Sequence, residues 1–163
     1  MKKLLAALMF ALMLLPACSS EEKSIGLNSE IQHDDYFYSI ASFKKADAIS
    51  GLKPKGVFYI VEFKVVNRAK RVDHPWKNSI TYMVDEKGVE YDNQAEAQKT
   101  LFGLEPFNLK DEHVTKAGET ETTLFVFDVP KDVKEPAVKF RGEFLMGDMF
   151  DGNNFKHTRV KLY

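Results

Sequence analysis

The stretch that decides the fold of this chain is Val57-Phe58-Tyr59-Ile60-Val61-Glu62-Phe63-Lys64-Val65-Val66-Asn67. In its second half, Val61, Phe63 and Val65 alternate with the charged Glu62 and Lys64, which is the period of a strand with one buried face. Its first half is apolar at every position, as expected of a strand covered on both sides. We therefore predict a strand at the centre of a packed sheet, preceded by a turn over residues 53–56.

Strand-like patterns continue outward from this stretch in both directions. Before it, tyrosine, phenylalanine and isoleucine alternate with smaller residues; after it, apolar runs are separated by turn residues such as Asp85-Glu86-Lys87-Gly88 and Asp151-Gly152-Asn153-Asn154. Only residues 93–104 have a composition that favours a helix. About seven strands with so little helix predict an all-β chain folded as a β-sandwich. The predicted strands cover residues 36–43, 57–67, 80–84, 89–91, 122–129, 138–145 and 155–162.

Four motifs between residues 57 and 130 carry a resemblance to a known family. They are the strand ending at Asn67, the turn 85–88 followed by Tyr91, the turn Ala117-Gly118-Glu119-Thr120, and the strand end Phe127-Asp128-Val129-Pro130. In their order and spacing the chain resembles the telokin-like, immunoglobulin-like bacterial lipoproteins of unknown function. This resemblance implies an immunoglobulin-like antiparallel β-sandwich and supplies no catalytic residues. We interpret five of the matching residues as turn formers and strand-end caps: Asn67, Asp85, Gly88, Gly118 and Asp128.

The first seventeen residues are typical of an export signal. Lys2 and Lys3 precede an unbroken apolar run over residues 4–15, and a run of about a dozen residues is too short for a bilayer-spanning helix, which needs about 20. The run ends in Leu15-Pro16-Ala17-Cys18, which resembles the lipobox of bacterial lipoproteins. Lipid on Cys18, the only cysteine, would leave no free thiol. Ordinary cleavage near Ala17 is the alternative.

These features predict a chain in three parts. Residues 1–17 form the signal peptide, residues 18–32 a polar and flexible tether, and residues 33–163 the sandwich domain. The lipid on Cys18 would anchor the protein to a membrane on the extracytoplasmic side of the cell envelope. Ser19 stands where many inner-membrane lipoproteins carry aspartate, so we expect the outer membrane if the cell has one.

Charge argues against a nucleic-acid partner. The whole chain has 23 basic and 24 acidic residues. Removing Lys2 and Lys3 with the signal leaves 21 basic residues and a net charge of about −3, without the basic excess that nucleic-acid binding needs.

The sequence gives no catalytic, metal or cofactor motif that we assign. The four histidines are spaced about forty residues apart, whereas zinc ligands usually come in close pairs. His33-Asp34-Asp35 is the densest ligand-like cluster, but we interpret it as a solvated strand start. Residues 148–154 lack the alternating acids of an EF-hand and fit a hairpin turn. No Gly-x-Ser-x-Gly elbow is present, and acids beside His74 and His113 do not by themselves define a triad. We predict a protein that is not an enzyme and has no cofactor.

The candidate binding surface is aromatic and basic. Trp76, the only tryptophan, and Phe102 and Phe107 fall in predicted loops over residues 68–79 and 92–116, where they would anchor a ligand; the favoured alternative for Trp76 is a place in the core. A basic row in the last strand is either a solvated face or a contact for a partner; its members are His157, Arg159 and Lys161. The leading hypothesis is a non-enzymatic interaction domain with an unknown protein or small-ligand partner. The alternative is a metal-binding or hydrolytic envelope protein.

Overall fold

The structure is a computed structural model that describes residues 22–101, 112–141 and 155–163. Within these ranges the chain forms eleven strands and one short α-helix. In chain order the elements are β1 Lys23–Ile25, β2 Ile31–His33, β3 Tyr36–Ala46, β4 Val57–Asn67, β5 His74–Lys77, β6 Thr81–Val84, β7 Glu90–Asp92, α1 Ala95–Leu101, β8 Glu112–Thr115, β9 Thr120–Val129, β10 Ala137–Phe140 and β11 Thr158–Lys161.

Two sheets pack face to face as a β-sandwich. One has the strand order β1-β11-β10-β6-β7, the other β2-β3-β4-β9, and β5 pairs with β8 as a separate two-stranded ribbon. The predicted all-β sandwich is confirmed. Two details differ from the expectation of about seven antiparallel strands: the described residues hold eleven, and β1 pairs with β11 in parallel.

The central strand β4 has the predicted bounds, Val57–Asn67, and lies between β3 and β9. Its side chains alternate between two apolar layers. Tyr59, Val61, Phe63 and Val65 enter the core between the two main sheets, together with Phe125 and Phe127 of β9 and Phe140 of β10. Phe58 and Ile60 face the other side, where α1 covers them with Ala97. The continuous apolar first half of the stretch thus follows from burial on both faces.

The five residues interpreted as turn formers and caps have those roles. Asp128 accepts hydrogen bonds from the backbone N–H groups of Lys55 and Gly56, at 2.8 and 3.0 Å. Asp85 accepts from the N–H groups of Lys87 and Val89, both at 2.8 Å. Gly88 and Gly118 have φ of 81° and 78°, which only glycine adopts without strain. Asn67 is buried and holds the loop that follows β4.

The residues before His33 are not a flexible tether through residue 32. β1 joins the edge of one sheet, with the Lys23 N–H donating to the carbonyl of His157 at 2.8 Å. β2 joins the edge of the other sheet and buries Ile31 in the core. Neither strand was predicted from the sequence, because each has only three residues and lacks a sustained alternation.

The helix-forming composition of residues 93–104 corresponds to α1, which ends at Leu101. Gln98 is fully buried and donates to the Leu124 carbonyl at 2.7 Å, so it ties α1 to β9. None of the helices in the described part of the chain has the length and apolar character needed to cross a membrane. Cys18 and the predicted signal peptide lie outside the described residues, as does the predicted turn 151–154.

Candidate functional site: a histidine–aromatic cavity

One end of the sandwich contains a cavity of about 310 Å³ between the two main sheets. It is bounded on one side by the start of β3 and on the other by Arg141, which follows β10, and Phe155, which precedes β11. The β5 segment forms a third side. The residues that line it are His33, Tyr36, Tyr38, Val72, Asp73, His74, Pro75, Trp76, Lys77, Ser79, Ile80, Arg141 and Phe155.

Strand register brings these distant segments together. Tyr36 at the start of β3 lies opposite Asn67 at the end of β4, so the loop that leads into β5 begins at the same end of the sandwich. Phe140 at the end of β10 lies opposite Thr81 at the start of β6. The residues on each side of the cavity therefore lie next to the ends of paired strands, and the pairing fixes their positions.

His74 is the most perturbed titratable group of the cavity. Its ring stacks on Tyr36 with ring centroids 3.7 Å apart, and its Nε2 lies 2.6 Å from the Tyr38 hydroxyl. Burial, with a smaller contribution from the charge of nearby His33, lowers the pKa of His74 to about 4. His74 is therefore neutral near pH 7 and acts there as a polar, uncharged aromatic surface.

A second stacked pair lies on the side of β2. The ring of His33 lies parallel to Phe155, 4.7 Å between centroids, and Tyr38 contacts Phe155 at 4.8 Å. Burial raises the pKa of Tyr36, and the neighbouring carboxylates of Asp34 and Asp35 raise it further. The stacked rings of Tyr36 and His74 are thus uncharged at neutral pH, and their hydroxyl and imidazole groups are polar atoms of the cavity wall.

Trp76 is held in the wall by a polar network. Its indole N–H donates to Thr115 Oγ1 at 2.9 Å, and that hydroxyl donates to Glu121 Oε2 at 3.0 Å. His113 stacks on the indole at 3.9 Å, with Nδ1 2.8 Å from Glu121 Oε1 and Nε2 2.9 Å from Asn78 Oδ1. The network joins β5 and β8 to β9 and fixes the orientation of the indole.

Two of the charged residues that line the cavity, Arg141 and Lys77, are paired with carboxylates. Arg141 binds Glu90 and Asp92, each at 2.8 Å, and lies over the ring of Tyr82. Lys77 lies 3.8 Å from a carboxylate oxygen of Glu112. The cavity therefore presents no uncompensated charge from these two residues to an entering group.

The predicted binding residues fall into three groups. Trp76 is 4% exposed and lies in β5, so its predicted place in a loop is wrong and its burial fits the core interpretation. The residue also lines the cavity, and its role in binding stays a prediction. Phe102 and Phe107 lie outside the described residues.

The third group, the basic row, is partly compensated. Arg159 and Lys161 alternate in β11 with the buried Val160 and Leu162, and His157 precedes the strand. Arg159 pairs with Glu22 at 3.4 Å, and Lys139 of β10 also binds Glu22. Hydrogen bonding to Lys139 lowers the pKa of Glu22. Much of this face is thus engaged in holding down the start of β1.

The arrangement of the described side chains gives little support to a metal site or a catalytic site. His33 is buried against Phe155, whereas Asp34 and Asp35 are exposed, so the interpretation of the whole cluster as solvated is wrong for the histidine. Among the described residues no three His, Cys, Asp or Glu side chains come together as a metal site. Residues 148–154 lie outside them. Asp73 accepts from the Ala117 N–H at 3.0 Å, and the carboxylate beside His113 is that of Glu121.

Sequence reasoning did not single out Tyr36, Tyr38, His74 and Phe155 as a group. Each lies in an apolar or strand-like pattern that a core residue would share. The only sequence signal was the aromatic content of the chain, 12% Phe, Trp and Tyr. Their convergence depends on pairing between strands that are far apart in the chain.

The fold places the chain among the β-sandwich proteins. Solved structures with similar folds include MPT63, a secreted protein from Mycobacterium tuberculosis, with 15% sequence identity, a TM-score of 0.57, and 88% of this chain and 99% of that chain covered. The yjhA protein from Bacillus subtilis is 10% identical, with a TM-score of 0.57 and coverage of 85% and 98%. An uncharacterized β-sandwich protein from Clostridium difficile is 15% identical, with a TM-score of 0.52 and coverage of 88% and 95%. No family model and no curated protein matches the chain in sequence.

Proposed function

We propose that this chain is an extracytoplasmic lipoprotein, anchored through Cys18, whose sandwich is a non-enzymatic binding domain. The histidine–aromatic cavity is its binding site. The observation that carries the proposal is the arrangement of His33, Tyr36, His74 and Phe155 as two stacked pairs around one open space. The lipobox-like sequence supports the anchor, and the described secretion of the structurally similar MPT63 is consistent with export.

The chemistry of the walls defines the class of ligand. Aromatic faces favour a flat apolar or aromatic group, which they contact by offset stacking. Because His74 is neutral and Arg141 is already paired with two carboxylates, an uncharged group is favoured over an ion. A volume of about 310 Å³ fits a small molecule or a single aromatic side chain of a partner.

The hydrogen bonds of His74 and His113 favour binding over catalysis. Hydrolysis by a histidine base needs a ring nitrogen directed at a nucleophile or a water. His113 directs its two nitrogens at Glu121 and Asn78, and His74 Nε2 faces the Tyr38 hydroxyl. Both rings are thus used in holding the walls of the cavity.

The sole tryptophan makes the proposal directly testable. Trp76 lines the cavity, so an uncharged fluorescent probe such as N-phenylnaphthylamine bound there would accept excitation energy from it. We expect saturable probe binding by the parent chain and loss of that binding in a Ser79→Phe variant, which fills the mouth. A Val89→Phe variant adds the same ring at an exposed position of the opposite end and should bind like the parent.

Two results would contradict the proposal. One is the absence of saturable energy transfer in the parent chain. The other is equal binding by the Ser79→Phe variant, with thermal unfolding showing that it is folded. Intact-mass analysis of the N-terminus tests the anchor separately.

A further inference from the structure

Lys23, the first residue of β1, lies at the end of the sandwich that carries the cavity. Lys23 pairs with Thr158, the first residue of β11, and Phe155 just before β11 lines the cavity. From Cys18 to Lys23 there are five Cα–Cα steps, which span at most about 18 Å when fully extended. If Cys18 carries lipid, as the proposed function holds, this end of the domain must lie close to the bilayer surface.

The loop after β4 presents a basic and apolar tip at this same end. Lys70, Arg71 and Val72 are exposed, and Val72 is 59% exposed although it is a large aliphatic residue. Neither Lys70 nor Arg71 forms an ion pair with another residue of the described ranges. We call these three residues the basic tip.

The loop behind the basic tip is held in one shape by a buried side chain. Asn67 Oδ1 accepts from the Ala69 N–H at 2.9 Å, and its Nδ2 donates to the Val72 carbonyl at 2.8 Å and to the Thr115 carbonyl at 3.0 Å. Ala69 is buried, and Arg68 lies over Phe37 and binds Glu30. These contacts leave the next three side chains directed outward as a preformed surface.

From the short link and this surface we infer that the basic tip is a second membrane contact, which binds anionic lipid headgroups. The lipid on Cys18 supplies the attachment, and cationic side chains beside an exposed aliphatic residue supply the orientation. Asp34, Asp35 and Asp73 are also exposed at this end, so the contact is confined to the side chains of the basic tip. The mouth of the cavity, lined in part by Val72, then opens toward the membrane surface.

The test uses the full lipidated chain in vesicles. Because lipid would occupy the sulfur of Cys18, the only native cysteine, a single new cysteine can carry a fluorophore: Val72→Cys in the basic tip, or Val89→Cys at the opposite end as the matched exposed control. A quencher attached to lipid headgroups reports contact. In vesicles containing phosphatidylglycerol we expect strong quenching at position 72 and little at position 89. Quenching at position 72 should fall in vesicles of phosphatidylcholine alone.

Two double variants with the same change in net charge distinguish a headgroup contact at the basic tip from an effect of the overall charge of the protein. Lys70→Glu with Arg71→Glu should abolish the excess quenching at position 72 in the anionic vesicles. Lys131→Glu with Lys134→Glu makes the same change in net charge at exposed positions of the far end and should leave it intact. All four positions are exposed, so we expect the variants to fold.

Three outcomes overturn the inference. Equal quenching at positions 72 and 89 removes the orientation, and quenching unaffected by the first charge reversal removes the headgroup contact. An intact mass showing unmodified Cys18 removes the premise of a short lipid link, and with it the anchor in the proposed function. If Cys18 is acylated and the unlabelled parent chain binds the cavity probe, a failure at position 72 contradicts this inference and leaves the proposed function standing.

Discussion

The hydroxyl of Tyr38 lies 2.6 Å from Nε2 of His74, in a part of the cavity wall where both side chains are buried. The pair joins β3 to β5, two strands of different sheets. One face of the His74 ring stacks on Tyr36, and Tyr38 lies at its edge. The imidazole is thus surrounded by rings that do not stabilise a positive charge as water does.

The first prediction concerns acid stability. The pKa of His74 is about 4 in the folded protein and near 6.5 in the unfolded chain, so between these values the unfolded chain binds more protons. Stability should therefore fall as the pH drops from about 6.5 to 4, by up to about 3 kcal/mol from this group, and level off below. Denaturant unfolding at a series of pH values measures the effect. A His74→Gln variant should lack this component, and an identical pH dependence in both proteins would refute the assignment.

The second prediction concerns Gly56, where the backbone passes close to β9. A Cβ atom built on Gly56 would lie 2.1 Å from the Val129 carbonyl oxygen, so Gly56→Ala forces a backbone shift. We expect a loss of about 1–3 kcal/mol in unfolding free energy, in the range measured for overpacking. Gly26→Ala is the matched control, because nothing lies within 4 Å of its Cβ position. Equal stability of the two variants would contradict the close approach.

The third prediction concerns the hydroxyl between Trp76 and Glu121. Thr115→Val keeps the shape of the side chain but leaves the buried indole N–H without its acceptor. We expect a cost of about 1–3 kcal/mol and a change in the emission of Trp76. Thr122→Val, at an exposed position of β9, should change neither. Unchanged emission and stability in the Thr115 variant would show that the network does not hold the indole.

The fourth prediction concerns the residues before Gln32, which include β1 and the first residue of β2. A chain starting at Glu22 keeps β1, the ion pairs of Glu22 with Lys139 and Arg159, and the buried Ile31. A chain starting at Gln32 loses all of them, and burial of one isoleucine alone contributes about 1.5–3 kcal/mol. We therefore expect the longer chain to be the more stable by at least about 2 kcal/mol in urea unfolding. Equal midpoints would mean that these residues behave as the flexible tether first predicted.

The sequence was most informative where one residue's surroundings are settled by its close neighbours. The bounds of β4 could be predicted because eleven consecutive residues share one pattern, and Asp85 could be interpreted correctly because its partners Lys87 and Val89 lie in the same turn. Asp128 was interpreted as a strand-end cap from its place before Pro130, but its partners Lys55 and Gly56 are distant in the chain and could not be predicted. β5 was missed because it is four residues long and contains Pro75, which usually argues against a strand. The cavity was missed because it joins residues 33–38 with residues 72–80, 141 and 155, and nothing local specifies that contact.

The parallel pairing of β1 with β11 joins the first described strand to the last. A chain is synthesised from its N-terminus onward, so Lys23–Ile25 emerges long before Thr158–Lys161. During that interval the edge partner of β1 does not yet exist, and contacts between residues so distant in sequence form slowly. Completion of the sandwich therefore waits for the synthesis of β11: a nascent chain stalled before residue 158 would carry β1 unpaired, exposed to chaperones and proteases.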